Sequence, residues 1–146
     1  ESVKNGLALV DEEGIVGVHD GVRPLVRFDT VNRCYIEASA YGSAIPVCDS
    51  KESVRIVEDG RSRAVDRTTI RMVQTPQVFR SRMLKDAYRQ DFSPFFTDDA
   101  SVVEKAGHVV HLVNGNKENI KITTPMDYYI FRTLVEVKEN QQIFGF

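Results

Sequence analysis

No phosphate-binding loop is written into these 146 residues: the nine glycines are scattered, and neither GxGxxG nor GxxxxGK occurs. A nucleotide would therefore find no loop of the usual kind within this stretch. Cysteine is scarce, with Cys34 on a predicted helix, Cys48 on a predicted strand, and no CxxC or Cys/His spacing. That pattern speaks against a disulfide or a zinc site and for reduced, structural thiols. There is no run of 18 apolar residues and no charged-then-apolar leader, so neither a membrane span nor a signal peptide is read, and the cytosol is the expected compartment. Charge of one sign is lacking too: 19 Lys and Arg stand against 21 acids, a net charge of -2. Nothing in that balance draws nucleic acid or an anionic membrane, so an anionic ligand must be held by a local cluster. His108 and His111 stand three apart on a predicted strand, point to opposite faces and cannot chelate one ion.

What is present suits one globular domain, or part of a larger one, since 42% of the residues are hydrophobic. Residues 2–9 read as a helix tail. IVGVH (15–19) reads as a buried strand, 30–41 as a helix capped by Asp29 and closed by Gly42, and 43–47 as a second apolar strand. Two runs, 54–58 and 61–65, flank Asp59-Gly60, a strong hairpin signal. The hairpin is rich in charge, and a lone two-stranded ribbon is marginal in water. It is either a solvated edge or an arm that packs on a second subunit. Helices follow over 81–90, 98–106 and 125–139, with strands over 109–113 and 119–122. Strands alternating with helices imply an α/β fold: a mostly parallel sheet, helices on both faces and a protruding β-arm over about 49–69. Ligands in such sheets sit beyond the carboxyl ends of strands.

Candidate residues follow from that rule. Asp20 ends the first strand, where an acid can accept hydroxyl hydrogen bonds; the plainer reading is a turn acid paired with Arg23. His19 faces the other way, as a core histidine. Arg67 is a planar fork suited to phosphate, though an arginine in a polar ribbon is often only solvated. Thr75, held extended by Pro76, presents a hydroxyl. Asp98-Asp99 is most economically a helix start, because no third ligand falls at metal spacing. Asn119, Lys121 and Thr123 share a strand face, and Thr124, Pro125 and Asp127 begin a helix whose free N–H groups would suit a phosphate. The alternative for Lys121 is a stem lying over apolar surface with its head in water.

The segments VHDGVRP, AIPVCDS, VDRTTIRMVQTPQVF, TDDASVVEKAGH and NIKITTPMD, in this order, resemble the C-terminal part of the 2-C-methyl-D-erythritol 4-phosphate cytidylyltransferases of the non-mevalonate isoprenoid pathway. The likeness spans residues 1–134. It implies a Rossmann-like nucleotidyltransferase fold, a homodimer whose arms cross between subunits, and Mg2+ bound with CTP. It implies a reaction in which the substrate phosphate attacks the α-phosphorus of CTP and pyrophosphate leaves. By the same resemblance Arg67 and Lys121 are the catalytic pair that positions the sugar phosphate, with Arg67 acting across the dimer. Asp20, Arg23, Ser50 and Thr75 bind the polyol phosphate, and Ser2 and Gly21 lie at the nucleotide. The family's HDAARP stands here as HDGVRP, and its DT in the arm as Asp49-Ser50. The family's glycine-rich CTP loop precedes the matching segment, so these 146 residues alone are expected to be nearly inactive. Two alternatives remain: a ribitol 5-phosphate cytidylyltransferase, against which the VDR motif speaks, and a non-catalytic dimerisation module.

Overall fold

The computed structural model describes residues 2–144, with side chains as far as residue 140. Three central strands are β1 (Ile15–Val18), β2 (Ser43–Asp49) and β6 (Gln77–Arg80). β6 lies between β1 and β2 and runs antiparallel to both. β5 (Arg71–Val73) pairs antiparallel with the far end of β2, and β7 (Leu112–Asn114) pairs parallel with its middle. The mixed α/β class stands, but the expectation of a mostly parallel sheet does not hold for neighbouring strands. β1, β2 and β7 do point one way. The wedge of β6 separates β1 from β2, because the chain leaves the end of β2 into the arm and returns alongside it, which gives antiparallel pairing.

β5 and β6 behave as one long strand interrupted at Gln74–Pro76. Val47 faces Val73 before the interruption and Ala44 faces Val78 after it, so three steps along β2 match five along its partner. The surplus residues must bulge, and a bulge re-aims the side chains it carries. Here these are Gln74 and Thr75.

Consecutive residues of β2 and β6 divide between two cores, as strand alternation requires. Ala44 and Val78 join Cys34 and Ala38 of α2 (Phe28–Tyr41) beneath one face. Ile45, Val47 and Phe79 join Leu7, Leu84, Ala100 and Val103 on the other. Those last residues come from α1 (Ser2–Leu7), α3 (Ser81–Ala87) and α4 (Asp99–Lys105). The helices thus cover both faces, as expected. Gly42 ends α2 with φ +91° and an N–H bonded to the Ala38 carbonyl, the left-handed close that glycine permits. The expected cap Asp29 lies inside α2, whose N-cap is Arg27 without a side-chain bond.

β3 (Val54–Glu58) and β4 (Arg61–Val65) form the hairpin with the anticipated ends. Asp59 and Gly60 both take positive φ, 49° and 73°, as a two-residue turn of this hand demands. Among the described residues the two strands pair only with each other. The segment 119–122 joins no ladder among the described residues, contrary to expectation: the Asn119 carbonyl accepts from Arg23 Nη1 at 2.8 Å, and the Ile122 N–H donates to the Val22 carbonyl of a turn. α5 runs Pro125–Phe144.

Candidate functional site

β1 stops at Val18, and the turn after it drops Asp20 and Arg23 into a cleft of about 590 Å³. Asp20 Oδ2 accepts from Arg23 Nε at 3.1 Å and from Lys121 Nζ at 3.2 Å, so one carboxylate oxygen is shared by two cations. Arg23 is held in place from behind by the Asn119 carbonyl, and only 13% of its side chain is exposed, whereas Lys121 is 47% exposed at the rim. The bulge supplies Thr75, whose Oγ1 accepts from the Asp20 N–H at 3.0 Å. Asn119 Nδ2 donates to the Thr75 carbonyl at 2.8 Å, and Gln74 Nε2 donates to the Asn116 carbonyl at 2.9 Å. These buried amides fix the bulge from beneath. Gly115 makes room for them, since a Cβ there would stand 2.2 Å from Gln74 Oε1.

Burial alone would raise the Asp20 carboxyl, but bonds to Arg23 and Lys121 and their charges outweigh it, leaving the group below the usual carboxylate range. On the opposite wall Asp98 caps α4, accepting from Ser101 N at 2.9 Å in a full capping box, and also accepts from Gln77 Nε2 at 2.8 Å. Asp99 accepts from the Tyr88 hydroxyl; burial raises its carboxyl and that bond only partly offsets the rise. Phe92, Phe96 and Val3 line the same cleft. The cleft is therefore a cationic corner facing an acidic, partly aromatic wall.

Of the residues singled out from sequence, Asp20, Arg23, Thr75 and Lys121 converge here. Ser50 and Arg67 do not. They line a separate hollow of about 490 Å³ at the base of the arm with Lys51, Thr68 and Arg71, and Arg67 Nη1 donates to the Lys51 carbonyl at 3.0 Å. Within one chain the two expected catalytic cations thus face different hollows. Ser2 is exposed on α1, whose next residue Val3 reaches the cleft. Gly21 sits in an exposed turn with no atom within 4 Å of where a side chain would begin, so packing within the chain does not require glycine there.

Two expectations need correction. His19 is not a core residue: it is exposed, with Nδ1 2.9 Å from Thr75 Oγ1 and Nε2 3.1 Å from the Arg23 carbonyl. The start of α5 is less open to an anion than expected, because Asp127 Oδ2 already accepts from Thr123 N at 3.0 Å and Thr124 N at 2.8 Å, and Asp127 N donates to Thr124 Oγ1 at 3.3 Å. Sequence reasoning also missed Gln74 and Asn116, the buried amides that brace the bulge. A density of amides between positions 114 and 119 was the available signal.

Cys34 is fully buried, its thiol pushed up by burial to about 11, and Cys48 is partly buried.

Comparison with solved structures gives the class. The crystal structure of 2-C-methyl-D-erythritol 4-phosphate cytidylyltransferase from Thermus thermophilus superposes with a TM-score of 0.82 at 33% identity, covering 92% of this chain and 68% of that one. The fold is a Rossmann-like nucleotidyltransferase fold. The family model described as 2-C-methyl-D-erythritol 4-phosphate cytidylyltransferase matches residues 1–136, and the chain belongs to that family. A relative of that name from Bacteroides thetaiotaomicron is 57% identical over 134 residues, 92% of this chain and 61% of the relative. A ribitol-5-phosphate cytidylyltransferase from Vibrio parahaemolyticus is 38% identical over 154 aligned positions, 99% of this chain and 65% of the relative. The chain spans about three fifths of the length of the curated relatives it matches.

Proposed function

We propose that this chain carries the alcohol-phosphate side of a cytidylyltransferase that moves CMP from CTP to 2-C-methyl-D-erythritol 4-phosphate. The carrying observation is the corner in which Asp20 holds Arg23 and Lys121 beside Thr75. A phosphate monoester entering there finds two cations already oriented, one deep and one at the rim. In the reaction an oxygen of that phosphate bonds to the α-phosphorus of CTP as the bond to pyrophosphate breaks. Little covalent work falls to the protein, so positioning and charge neutralisation dominate. Lys121 and Arg23 draw the acceptor phosphate in, Thr75 hydrogen-bonds it, and Asp20 orders both cations and meets polyol hydroxyls. Ser2 and Gly21 face the nucleotide.

Arg67 and Ser50 belong to the same site in a homodimer, with the arm of one copy reaching the cleft of the other. A lone hairpin needs such a surface. Mg2+ enters with the CTP phosphates. The carboxylates of the cleft do not fit a protein-built cage: Asp20 is bonded to two cations, Asp98 to Gln77 and Ser101, and Asp99 to Tyr88. Among the described residues no three His, Cys, Asp or Glu side chains gather as a metal site. No helix among the described residues is long and apolar enough to cross a membrane, and the cytosol is the proposed compartment.

The methylerythritol reading is preferred to ribitol phosphate because the relatives bearing the first name reach 57% identity against 38% for the second. The test joins this chain to the remaining portion of a curated relative, of which it spans about three fifths, and measures pyrophosphate release. The joined protein should turn over with methylerythritol phosphate in preference to ribitol phosphate, and Lys121→Ala should lower kcat/KM by about 100- to 1,000-fold. The 146-residue chain by itself should release almost none. A joined protein that ignores methylerythritol phosphate would refute the proposal.

A further inference from the structure

His19 stands behind Thr75 rather than in the cleft, and both its ring nitrogens are engaged. The Arg23 carbonyl can only accept, so Nε2 carries the hydrogen of the neutral ring and donates across 3.1 Å. Nδ1 is then a bare acceptor, and the Thr75 hydroxyl 2.9 Å away must donate to it. The same hydroxyl accepts from the Asp20 N–H. Its hydrogen and one lone pair are thereby used, and only a lone pair remains for the cleft. An anionic phosphate oxygen is repelled by such a group; a polyol hydroxyl is welcomed.

Protonation reverses this. With hydrogens on both ring nitrogens, His19 donates to Thr75 Oγ1, which then accepts twice and must turn its own hydrogen elsewhere. The cleft is the direction left, and the hydroxyl becomes a donor for a phosphate oxygen. The charged groups facing this network are Asp20 and Arg23 in the turn after β1 and Lys121 from the 119–122 segment. Asp98 and Asp99 at the start of α4 line the far wall of the cleft.

We propose that His19 is a positioning residue that sets the direction of the Thr75 hydroxyl hydrogen and so links proton uptake to phosphate binding in this cleft. This rests on the cleft being a phosphate site, as proposed above. Linkage is reciprocal: bound phosphate must raise the proton affinity of His19 by the factor by which its proton raises phosphate affinity. Arg23 and Lys121 would also yield some upward shift when phosphate neutralises them. Only the Thr75 hydroxyl distinguishes the relay from that general effect.

The test follows the His19 ring nitrogens by NMR in the labelled chain, titrating pH with and without inorganic phosphate. The neutral ring should carry its hydrogen on Nε2. Phosphate should move the His19 midpoint upward by roughly one pH unit, equivalent to about tenfold coupling. Thr75→Ser, which keeps the hydroxyl, should preserve that shift, and Thr75→Val should lose most of it. A neutral ring with its hydrogen on Nδ1 overturns the proposal, as does a wild-type midpoint that phosphate leaves unmoved. An equal shift in Thr75→Val overturns it as well. Should Thr75→Val not fold, Thr75→Ala, which also lacks the hydroxyl, makes the same comparison. A phosphate-linked shift in a protein whose joined form transfers no cytidylyl group would sink the transferase reading and leave the relay standing.

Discussion

At Asp20 burial pulls the carboxyl pKa up while Arg23 and Lys121 pull it down, and the cations prevail. The sign of the pH dependence follows. A carboxyl whose folded value is depressed contributes stability that is present above its unfolded value, near 3.8, and lost as pH falls through the folded one. Asp20→Asn should therefore weaken the fold at pH 7, by about 1–2 kcal/mol because Arg23 is left nearly buried without its counter-charge, and should flatten the loss of stability on acidification. Thermal unfolding across pH 3–7 checks both. A variant with wild-type stability and wild-type acid sensitivity would show that the pair is only a surface contact. Asp20 was legible in sequence because a strand end marks a ligand site, whereas Arg23, Thr75 and Lys121 were legible through the resemblance of the HDGVRP, QTPQ and NIK segments. His19 was misplaced because alternation holds only within a strand, and β1 ends one residue before it.

Among the elements, helices were the better read. α4 shows why: Asp98 and Ser101 exchange bonds in a capping box, a pattern fixed by local spacing. Asp98→Ala should cost about 1–2 kcal/mol, the upper end because Gln77 also loses its acceptor. Chemical denaturation gives the number directly, and a loss under about 0.5 kcal/mol would mean that Ser101 alone sustains the helix start. The strands resisted. β5 and β6 hold three and four residues and are parted by a bulge whose existence depends on register against β2, which no local pattern carries. The segment 119–122 alternates like a strand, yet its backbone is spent on a turn and on Arg23. Non-local partners, absent from a local window, decided both cases.

At the scale of the molecule the arm hairpin is legible from Asp59-Gly60, but its destination is not, because it pairs only with itself among the described residues. Lys121 stands at the cleft while Arg67 stands at the arm base, and the proposed homodimer is what joins them on one phosphate. Subunit mixing tests that claim most directly, in the joined protein. Arg67→Ala and Lys121→Ala homodimers should each be nearly inactive. Equal mixing should restore about a quarter of the wild-type activity, since half the dimers are mixed and each holds one intact site. No recovery on mixing, with subunit exchange verified, would contradict the account.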